Sequence, residues 1–352
     1  MRRASPLEFP FAAPPAPGAT LEVAPGVLWL RMPLPFQLDH INLWLLRDEE
    51  GWTIVDSGIG DAATRALWER IFERALDGLP VRGLIVTHYH PDHAGNAAWL
   101  CERFGAELWM TQAEYLTAHA VRAAGAGYTT EAVLKVFRRN GLDDAHFAGM
   151  SSRGNRYRDL VPEFPLSYRR ILDGDDIVVN GRRWRVIVGY GHAPEHASLH
   201  CEDLKLLIAG DMLLSTISTN VSVWSIDPEG DPLKLFLESI QRYRALAPDT
   251  LVLPSHGLPF RGARERVAEL ESHHAAHFAE LAEACAQGPR SAADLIPVLF
   301  RRKLDMHQMF FAMGEAIAHL HYLYYAGRMA RETGADGVVR YASAGKPARA
   351  LE

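Results

Sequence analysis

Four side chains that can bind a metal ion lie within six residues of this chain, in the segment THYHPDH at 87–93. They follow the aliphatic run 81–86, which predicts a short buried strand that ends at the cluster. Pro91 stiffens the turn, so we expect Asp92 and His93 to face away from His88 and His90, and one loop can serve two metals. Imidazole and carboxylate ligands together suit zinc, and also iron or manganese.

Three further candidate ligands follow three further strand-like runs. His192 follows the run 184–188, Asp211 follows 206–210, and His256 follows 251–255. A carboxylate at the end of a buried strand is costly unless it meets a cation, and a carboxylate can bridge two metals. Surface histidines on polar loops are the alternative interpretation. The repetition of strand, turn and ligand argues against that alternative.

This series of motifs resembles the metallo-β-lactamase superfamily: His-x-His-x-Asp-His at 88–93, Gly-His at 191–192, Gly-Asp at 210–211 and His-Gly at 256–257. The resemblance covers about residues 26–261 and implies an α/β fold, a four-layer αββα sandwich with a two-metal site at one edge. The ligands that it implies are His88, His90 and His192 for the first metal, Asp92, His93 and His256 for the second, and Asp211 as the bridge between them.

Four other residues near these motifs are candidates for supporting roles. Asp56, in an Asp-x-Gly that matches the superfamily, would orient a ligand histidine by a hydrogen bond rather than bind metal, or it is a simple turn former. His196 resembles another such orienting residue. The loop 33–40 borders the active-site mouth in superfamily members, so Phe36 and His40 are candidate substrate contacts. The alternative for His40 is a cap at a strand end.

The length of 352 residues favours two domains, a catalytic domain over 1–262 and a smaller one over 263–352. Too many residues separate His93 from His192 for one crossover, so a helical insertion is expected at about 111–170, folded over the metals. A cluster in this insertion is a candidate site for an anionic substrate group, and a solvated helix face is the alternative. Its residues are Arg153, Arg156, Tyr157 and Arg158.

Beyond residue 262 the strand patterns stop. Helices are predicted over 264–286, from Ser291 and over 306–326, and a hairpin turn is predicted at 333–337. Three helices and a hairpin predict a winged helix, which resembles a module appended to one superfamily branch that includes RNA-cutting members. The third helix is rich in Met, Phe, His and Tyr and poor in Arg and Lys, so nucleic-acid binding is not expected. Packing against the catalytic domain or a homodimer partner is expected instead.

Composition restricts the compartment and the partners. The formal net charge is -6, with both signs spread along the chain, so no broad basic surface for nucleic acid or an anionic membrane is expected. Three widely spaced cysteines indicate reduced thiols in the cytoplasm rather than disulfides. The N-terminal residues contain no apolar stretch long enough for a signal peptide or a membrane span.

The resemblance implies hydrolysis of a small-molecule substrate. A hydroxide shared between two divalent ions would attack an ester, thioester or lactone carbonyl, with Asp92 and Asp211 at the catalytic centre and no side-chain nucleophile. The ligand set is similar to that of glyoxalase II and the lactonases, which disfavours a β-lactam substrate. The tyrosine that quorum-signal lactonases carry after the bridging aspartate is not evident in 212–215. The alternative function is a metal-dependent ribonuclease, which a basic groove leading to the site would indicate.

Overall fold

The structure is a computed structural model that describes residues 7–125, 127–152 and 154–344. The chain divides into two compact units. The first contains the described residues of 1–123, 156–219 and 238–268, and the second those of 124–155, 220–237 and 269–352. Arg153, one of the predicted anion-binding residues, lies outside the described residues.

The first unit contains two β-sheets. In the described residues the first sheet has seven strands, which pair in chain order. They are β1 (Thr20–Ala24), β2 (Val27–Pro33), β3 (His40–Asp48), β4 (Gly51–Val55), β5 (Val81–Ile85), β6 (Glu107–Met110) and β7 (Arg169–Arg170). Strands β1 to β4 pair antiparallel, whereas β4 to β7 pair parallel.

The second sheet of this unit has six strands in the described residues, in the spatial order β13-β12-β11-β10-β9-β8. They are β8 (Asp176–Val179), β9 (Arg182–Gly189), β10 (His196–Cys201), β11 (Leu206–Gly210), β12 (Leu251–Pro254) and β13 (Phe260–Arg261). Strands β11 and β12 pair parallel, and their other neighbours are antiparallel. Parallel strands end at the same edge of a sheet, which is the arrangement that a site built from strand ends requires.

Successive apolar residues of the strands point to opposite faces of the first sheet and fill the layer on each face. Trp29 and Trp44 are paired residues of β2 and β3, their rings stack at 6.2 Å, and they share one buried cluster with Trp184 of the second sheet. Leu30, the next residue of β2, faces the opposite way and packs in the cluster that contains Trp68 of the first helix. Burying such a side chain contributes about 1.5 to 3 kcal/mol, so these two layers dominate the stability of the sandwich.

Helices cover the outer faces of both sheets. On the first sheet lies α1 (Ala62–Ala75), whose N-cap Asp61 accepts a hydrogen bond from the backbone N–H of Thr64. On the second sheet, the hydroxyl of Tyr243, which follows a helix at 232–240, lies 2.8 Å from Oγ of Ser198 on β10. The predicted four-layer αββα sandwich is therefore confirmed.

The other helices are, in chain order, α2 (Pro91–Ala94), α3 (Ala97–Phe104), α4 (Gln112–Arg122), α5 (Thr130–Arg139), α6 (Asp144–Ser151), α7 (Arg156–Leu160), α8 (Pro232–Ile240), α9 (Ala263–Ala286), α10 (Ala292–Leu299) and α11 (Met306–Tyr325). None of them, within the described ranges, combines the length and the apolar character that a membrane span requires.

The second unit is helical apart from one hairpin. Strands β14 (Met329–Thr333) and β15 (Val339–Ser343) pair antiparallel, which confirms the predicted hairpin. Ser291 caps α10 in a reciprocal pair of hydrogen bonds with Asp294, which confirms the predicted start of that helix. The elements occur in the order expected of a winged helix, and that assignment stays a prediction.

The two units divide the chain differently from the predicted boundary at 262/263, which falls beside the first residue of α9. Residues 124–155 pack with the C-terminal helices: the rings of Phe137 and Phe310 lie 5.4 Å apart, and the carbonyl of Asn140 accepts a hydrogen bond from the N–H of Ala293. Only the flanks of the predicted insertion, with α4 and α7, belong to the first unit. The apolar face of α5 is covered by helices that are distant in sequence, which periodicity alone could not indicate.

Candidate metal centre

Four strand ends bring the predicted ligands together at one edge of the sandwich. Strands β11 and β12 are parallel neighbours, so Asp211 and His256, which follow them, emerge side by side. The loop 88–93 follows β5 of the other sheet. The backbone N–H of Ala197 on β10 donates to the carbonyl of Thr87 at 2.9 Å, and this bond fastens the loop to the second sheet.

The first cluster consists of His88, His90, His192 and Asp211, whose ligand atoms all lie within 4.8 Å of one another. Nε2 of His88 lies 2.9 Å from Nδ1 of His90 and 3.2 Å from Nε2 of His192. Burial lowers the pKa values of His88 and His90 well below the usual value, and the neighbouring histidines lower them further. The rings are therefore neutral, which is the form that binds a metal ion.

The second cluster consists of Asp92, His93 and His256, again with ligand atoms within 4.8 Å of one another. The Oδ2 atom of Asp92 lies 3.5 Å from Nε2 of His256 and 3.8 Å from Nε2 of His93. Both histidines are buried, while the side chain of Asp92 is 16 % exposed. The carboxylate of Asp92 is thus the part of this cluster that faces solvent.

Asp211 lies between the two clusters and presents one oxygen to each. Its Oδ2 is 3.3 Å from Nε2 of His192, whereas its Oδ1 is 3.5 Å from Nε2 of His93 and 3.4 Å from Nε2 of His256. Burial raises the pKa of Asp211, but His256 and His93 outweigh burial and hold the pKa well below its usual value. The carboxylate is therefore charged and is placed to serve both clusters at once.

The hydrogen bonding of the centre fits a cation. Nε2 of His93 and Oδ1 of Asp211 are buried and face each other at a distance too long for a hydrogen bond, and neither has another hydrogen-bond partner among the described residues. Nδ1 of His93 donates to Oδ2 of Asp56, and Nδ1 of His256 donates to the carbonyl of His40. These bonds turn Nε2 of both rings into the centre, and Nε2 is free to bind zinc once it has lost its proton.

Asp56 hydrogen-bonds a predicted ligand histidine and the loop that carries it. Its Oδ2 accepts from Nδ1 of His93 at 2.8 Å, and its Oδ1 accepts from the backbone N–H of Thr87 at 2.8 Å. Burial opposes the charged form of His93, but three carboxylates, Asp56 first among them, outweigh burial and raise the pKa of His93 well above its usual value. The backbone of Asp56 is left-handed, with φ of 62°. The position is therefore strained for most residues and tolerable for Asp or Asn.

His196 orients Asp211 through the backbone. Its Nε2 accepts a hydrogen bond from the N–H of Asp211 at 3.1 Å, and burial lowers the pKa of His196 to about 3, so the ring stays neutral. Gly210 makes room for this ring: a Cβ at that position would meet Nε2 of His196 at 2.2 Å, and the φ of +54° also favours glycine. His196 is thus a buried support.

His40 supports the loop of His256. Its Nε2 accepts from the N–H of Gly257 at 2.8 Å, and its Nδ1 lies 2.6 Å from Oδ1 of Asp39. The ring is 17 % exposed. Phe36, the other predicted contact of this loop, is half-buried against the apolar layer between the first sheet and its helices.

The described residues of the predicted anion site point in different directions: two are exposed to solvent, and one contacts the loop 88–93. Arg156 and Arg158 are exposed on α7, and Arg156 forms an ion pair with Asp159 at 3.4 Å. Tyr157, between them, donates its hydroxyl hydrogen to the carbonyl of Tyr89 at 2.6 Å. The three side chains therefore do not form one cluster.

Sequence reasoning missed several residues that hold the ligand loops. Asn42 is buried on β3 and donates from Nδ2 to the carbonyls of Pro254 and Gly257 at 2.8 and 2.9 Å, on either side of His256. Glu114 is buried on α4 and accepts from backbone N–H groups of two ligand loops. Neither lies in a motif, and each partner is distant in sequence, so no local signal could have found them.

Comparison with known proteins places the chain in a family. Residues 37–256 match the Metallo-beta-lactamase superfamily, and residues 278–344 match the family described as Metallo-beta-lactamase-like, C-terminal domain. The crystal structure of a Beta-lactamase domain protein from Burkholderia ambifaria is 54% identical, with a TM-score of 0.91, over 96% of this chain and 98% of that chain.

Two curated relatives are more distant. The probable metallo-hydrolase YqjP of Bacillus subtilis is 23% identical over 84% of this chain and 91% of its own length. The acyl-coenzyme A thioesterase MBLAC2 of Bos taurus is 25% identical over 53% of this chain and 63% of its own length. The chain belongs to the metallo-β-lactamase superfamily. It is a hydrolase of that superfamily, with histidine and aspartate clusters suited to metal binding.

Proposed function

We propose that the protein is a dinuclear metallohydrolase that acts on an ester, thioester or lactone carbonyl. The single observation that carries the proposal is the placement of Asp211, whose two oxygens face two separate clusters of ligand atoms. In this proposal His88, His90 and His192 hold one divalent ion and Asp92, His93 and His256 hold the other, with Asp211 shared. Neutral imidazoles with carboxylates fit zinc, and also accommodate iron or manganese.

Bound divalent ions supply Lewis acidity, which activates water and stabilises negative charge on an attacked carbonyl group. The chain supplies the rigidity that this chemistry needs. Asp56 and the carbonyl of His40 fix the ring orientation of His93 and His256, and His196 fixes the backbone at Asp211. Outer hydrogen bonds of this kind set the direction and the basicity of metal ligands.

Asp92 is the carboxylate that we assign to proton transfer at the reacting centre. The side chain of Asp92 is 16 % exposed, against 11 % for Asp211, and its Oδ2 faces His256 and His93. We assign to the oxygen of Asp92 that does not face these histidines the acceptance of a proton from the attacking water and its return to the leaving group. Asp211 keeps its charge because the flanking histidines hold its pKa well below the usual range.

A cysteine nucleophile is not needed and is disfavoured. Burial raises the pKa of Cys101 to about 12 and also raises the pKa values of Cys201 and Cys285. A thiol must lose its proton to become a nucleophile, so none of the three is ready for attack near neutral pH. This observation supports direct attack by water.

Thioesters are the first substrates to test among the three carbonyl classes. The relative MBLAC2 is named as an acyl-coenzyme A thioesterase, and it is similar to this chain over 199 residues. A thiolate is a good leaving group, so hydrolysis of a thioester needs less assistance at the leaving atom than hydrolysis of an alkyl ester. The substrate is expected to be a small molecule.

The test is a substrate panel with full-length, metal-replete protein: an acyl thioester followed by thiol release, an aryl ester, a lactone and single-stranded RNA. We expect hydrolysis of at least one carbonyl substrate, its loss with a chelator and its recovery with zinc. Asp211→Ala should be inactive, and Asp249→Ala, at an exposed position paired with Lys205, should match the wild type. Cleavage of RNA with no carbonyl substrate turned over would replace this proposal with the ribonuclease.

A further inference from the structure

Glu114 is a buried carboxylate with no exposed surface, in the first turn of α4. Burial raises its pKa to about 8, because the charged form is poorly solvated there. Burying a carboxylate that has no partner is strongly destabilising. The identity of its partners therefore indicates what the carboxylate does.

Each oxygen of Glu114 accepts one backbone N–H. Oε2 accepts from the N–H of Tyr89 at 2.9 Å, and Oε1 accepts from the N–H of Glu195 at 2.6 Å. Tyr89 stands between His88 and His90, and Glu195 lies in the loop that begins at His192. One side chain thus fastens the two loops that carry all three histidines of the first cluster.

Two further hydrogen bonds join the start of α4 to Glu195. Oε2 of Glu195 accepts from the N–H of Ala113 at 3.0 Å, and the hydroxyl of Thr111 donates to the carbonyl of Glu195 at 2.8 Å. The start of α4 and the loop at 195 therefore hold each other by three hydrogen bonds, counting that of Glu114. The two histidine loops follow strands of different sheets, so their spacing is not fixed by any strand pairing.

We propose that Glu114 is a positioning residue that sets the distance between the His88–His90 loop and His192 and so determines the metal affinity of the first cluster. The inference rests on the proposed function, in which these histidines bind a metal. Among the described residues Glu114 has no hydrogen bond to a ligand side chain, and its carboxyl oxygens accept from the backbone amides of Tyr89 and Glu195. The second cluster has its own supports, Asp56 and His40.

Glutamine is the informative substitution at this position. Glu114→Gln keeps the size of the side chain but replaces one acceptor oxygen by an NH2 group, which would face a backbone N–H and repel it. Glu114→Asp keeps both carboxyl oxygens but is one methylene shorter, so it can reach only one of the two amides. Both variants should separate the loops while leaving the rest of the sandwich intact.

The experiment measures zinc and cobalt affinity one cluster at a time. In a His256→Ala background, which isolates the first cluster, Glu114→Gln should weaken metal binding roughly tenfold to a hundredfold, the range for lost outer hydrogen bonds. In a His88→Ala background, which isolates the second cluster, the same change should leave affinity unaltered. The cobalt absorption spectrum should shift only in the first background.

The control is Glu315→Gln in the second unit. Glu315 is another buried glutamate, burial raises its pKa to about 7, and its Oε2 accepts a hydrogen bond from Nδ2 of Asn220. This control change should leave both affinities unchanged. Equal weakening of both clusters by Glu114→Gln, or none in the first, would overturn the inference. If Glu114→Gln does not fold, Glu114→Asp carries the same test. A wild-type protein that binds no metal would instead refute the proposed function.

Discussion

Oδ2 of Asp56 accepts a hydrogen bond from Nδ1 of His93 at 2.8 Å, and both side chains are buried. The bond fixes the ring orientation of His93, so that Nε2, the atom that would bind a metal after losing its proton, is directed at the second cluster. Asp56→Asn should weaken metal binding there roughly tenfold to a hundredfold, because the amide is a weaker acceptor and can present its NH2 group instead.

The measurement is metal affinity in the His88→Ala background, where the second cluster is isolated. Asn tolerates the left-handed backbone of position 56, so the fold should survive the change. Asp61→Asn, at the N-cap of α1, is the matched control, because it makes the same chemical change at a half-buried aspartate outside the centre. Wild-type affinity in Asp56→Asn would mean that the residue is only a turn former.

For His40 the sequence leaves two roles open, a substrate contact or a cap at a strand end, and its hydrogen bonds suggest an experiment. Its ring accepts the N–H of Gly257, next to His256. If His40 acts on that loop, His40→Ala should lower metal affinity in the second cluster several-fold and lower kcat. If it binds substrate, KM should rise while metal content stays unchanged. Steady-state kinetics with parallel metal analysis separates the two roles.

Arg156 and Arg158 remain candidates for binding an anionic substrate group, because both are exposed on α7 and flank Tyr157, which contacts the loop 88–93. For a carboxylated thioester, each change to Ala should raise KM by roughly tenfold, which corresponds to the lower end of about 1.5 to 3 kcal/mol for a charge-assisted contact. Metal content should not change. Arg183→Ala, on β9 of the second sheet, is the control, and identical KM values in all three variants would indicate a solvated helix face.

The second unit should lose stability in acid because it contains a buried pair of histidines. Nδ1 of His274 lies 3.0 Å from Nε2 of His319, whose Nδ1 donates to the carbonyl of Glu315. Burial lowers the pKa of His274 to about 2 and that of His319 to about 3, whereas both titrate near 6.5 in an unfolded chain. Between these values the unfolded state binds protons that the folded state does not.

Stability is therefore complete above about pH 6.5 and falls as the pH drops toward 3, by up to about 1.4 kcal/mol per pH unit for each histidine. His319→Gln keeps an acceptor for His274 and removes one titrating group, so its unfolding free energy should depend less steeply on pH between 7.5 and 4.5. His146→Gln, on the exposed side of α6, is the control. Parallel pH profiles for the wild type and His319→Gln would contradict this account.

The sequence predicted the parts of the structure that depend on local pattern. The strands before His88, Asp211 and His256 and the hairpin after α11 all follow from short apolar runs and turn residues. The residues that support the metal centre do not follow from local pattern. Glu114 lies 81 residues from Glu195, and Asn42 lies 212 residues from Pro254, so only the folded chain brings them together.

The packing of 124–155 was unpredictable for a related reason. The amphipathic pattern of α5 shows which face is apolar, including Phe137, but it carries no information about which element covers that face. In the structure the cover includes Phe310 of α11, almost at the other end of the chain. Whether the flanks of this segment select substrate stays a prediction for the kinetic experiments above.

The most direct test of the central claim is the activity of metal-free protein as zinc is added in measured equivalents. Asp211 faces both clusters, so we predict that thioester, ester or lactone hydrolysis rises with added zinc and reaches its plateau at two equivalents per chain, and that Asp211→Ala stays inactive at any zinc concentration. A plateau at one equivalent, or near-normal turnover by Asp211→Ala, would contradict a reaction that depends on two ions joined by this carboxylate.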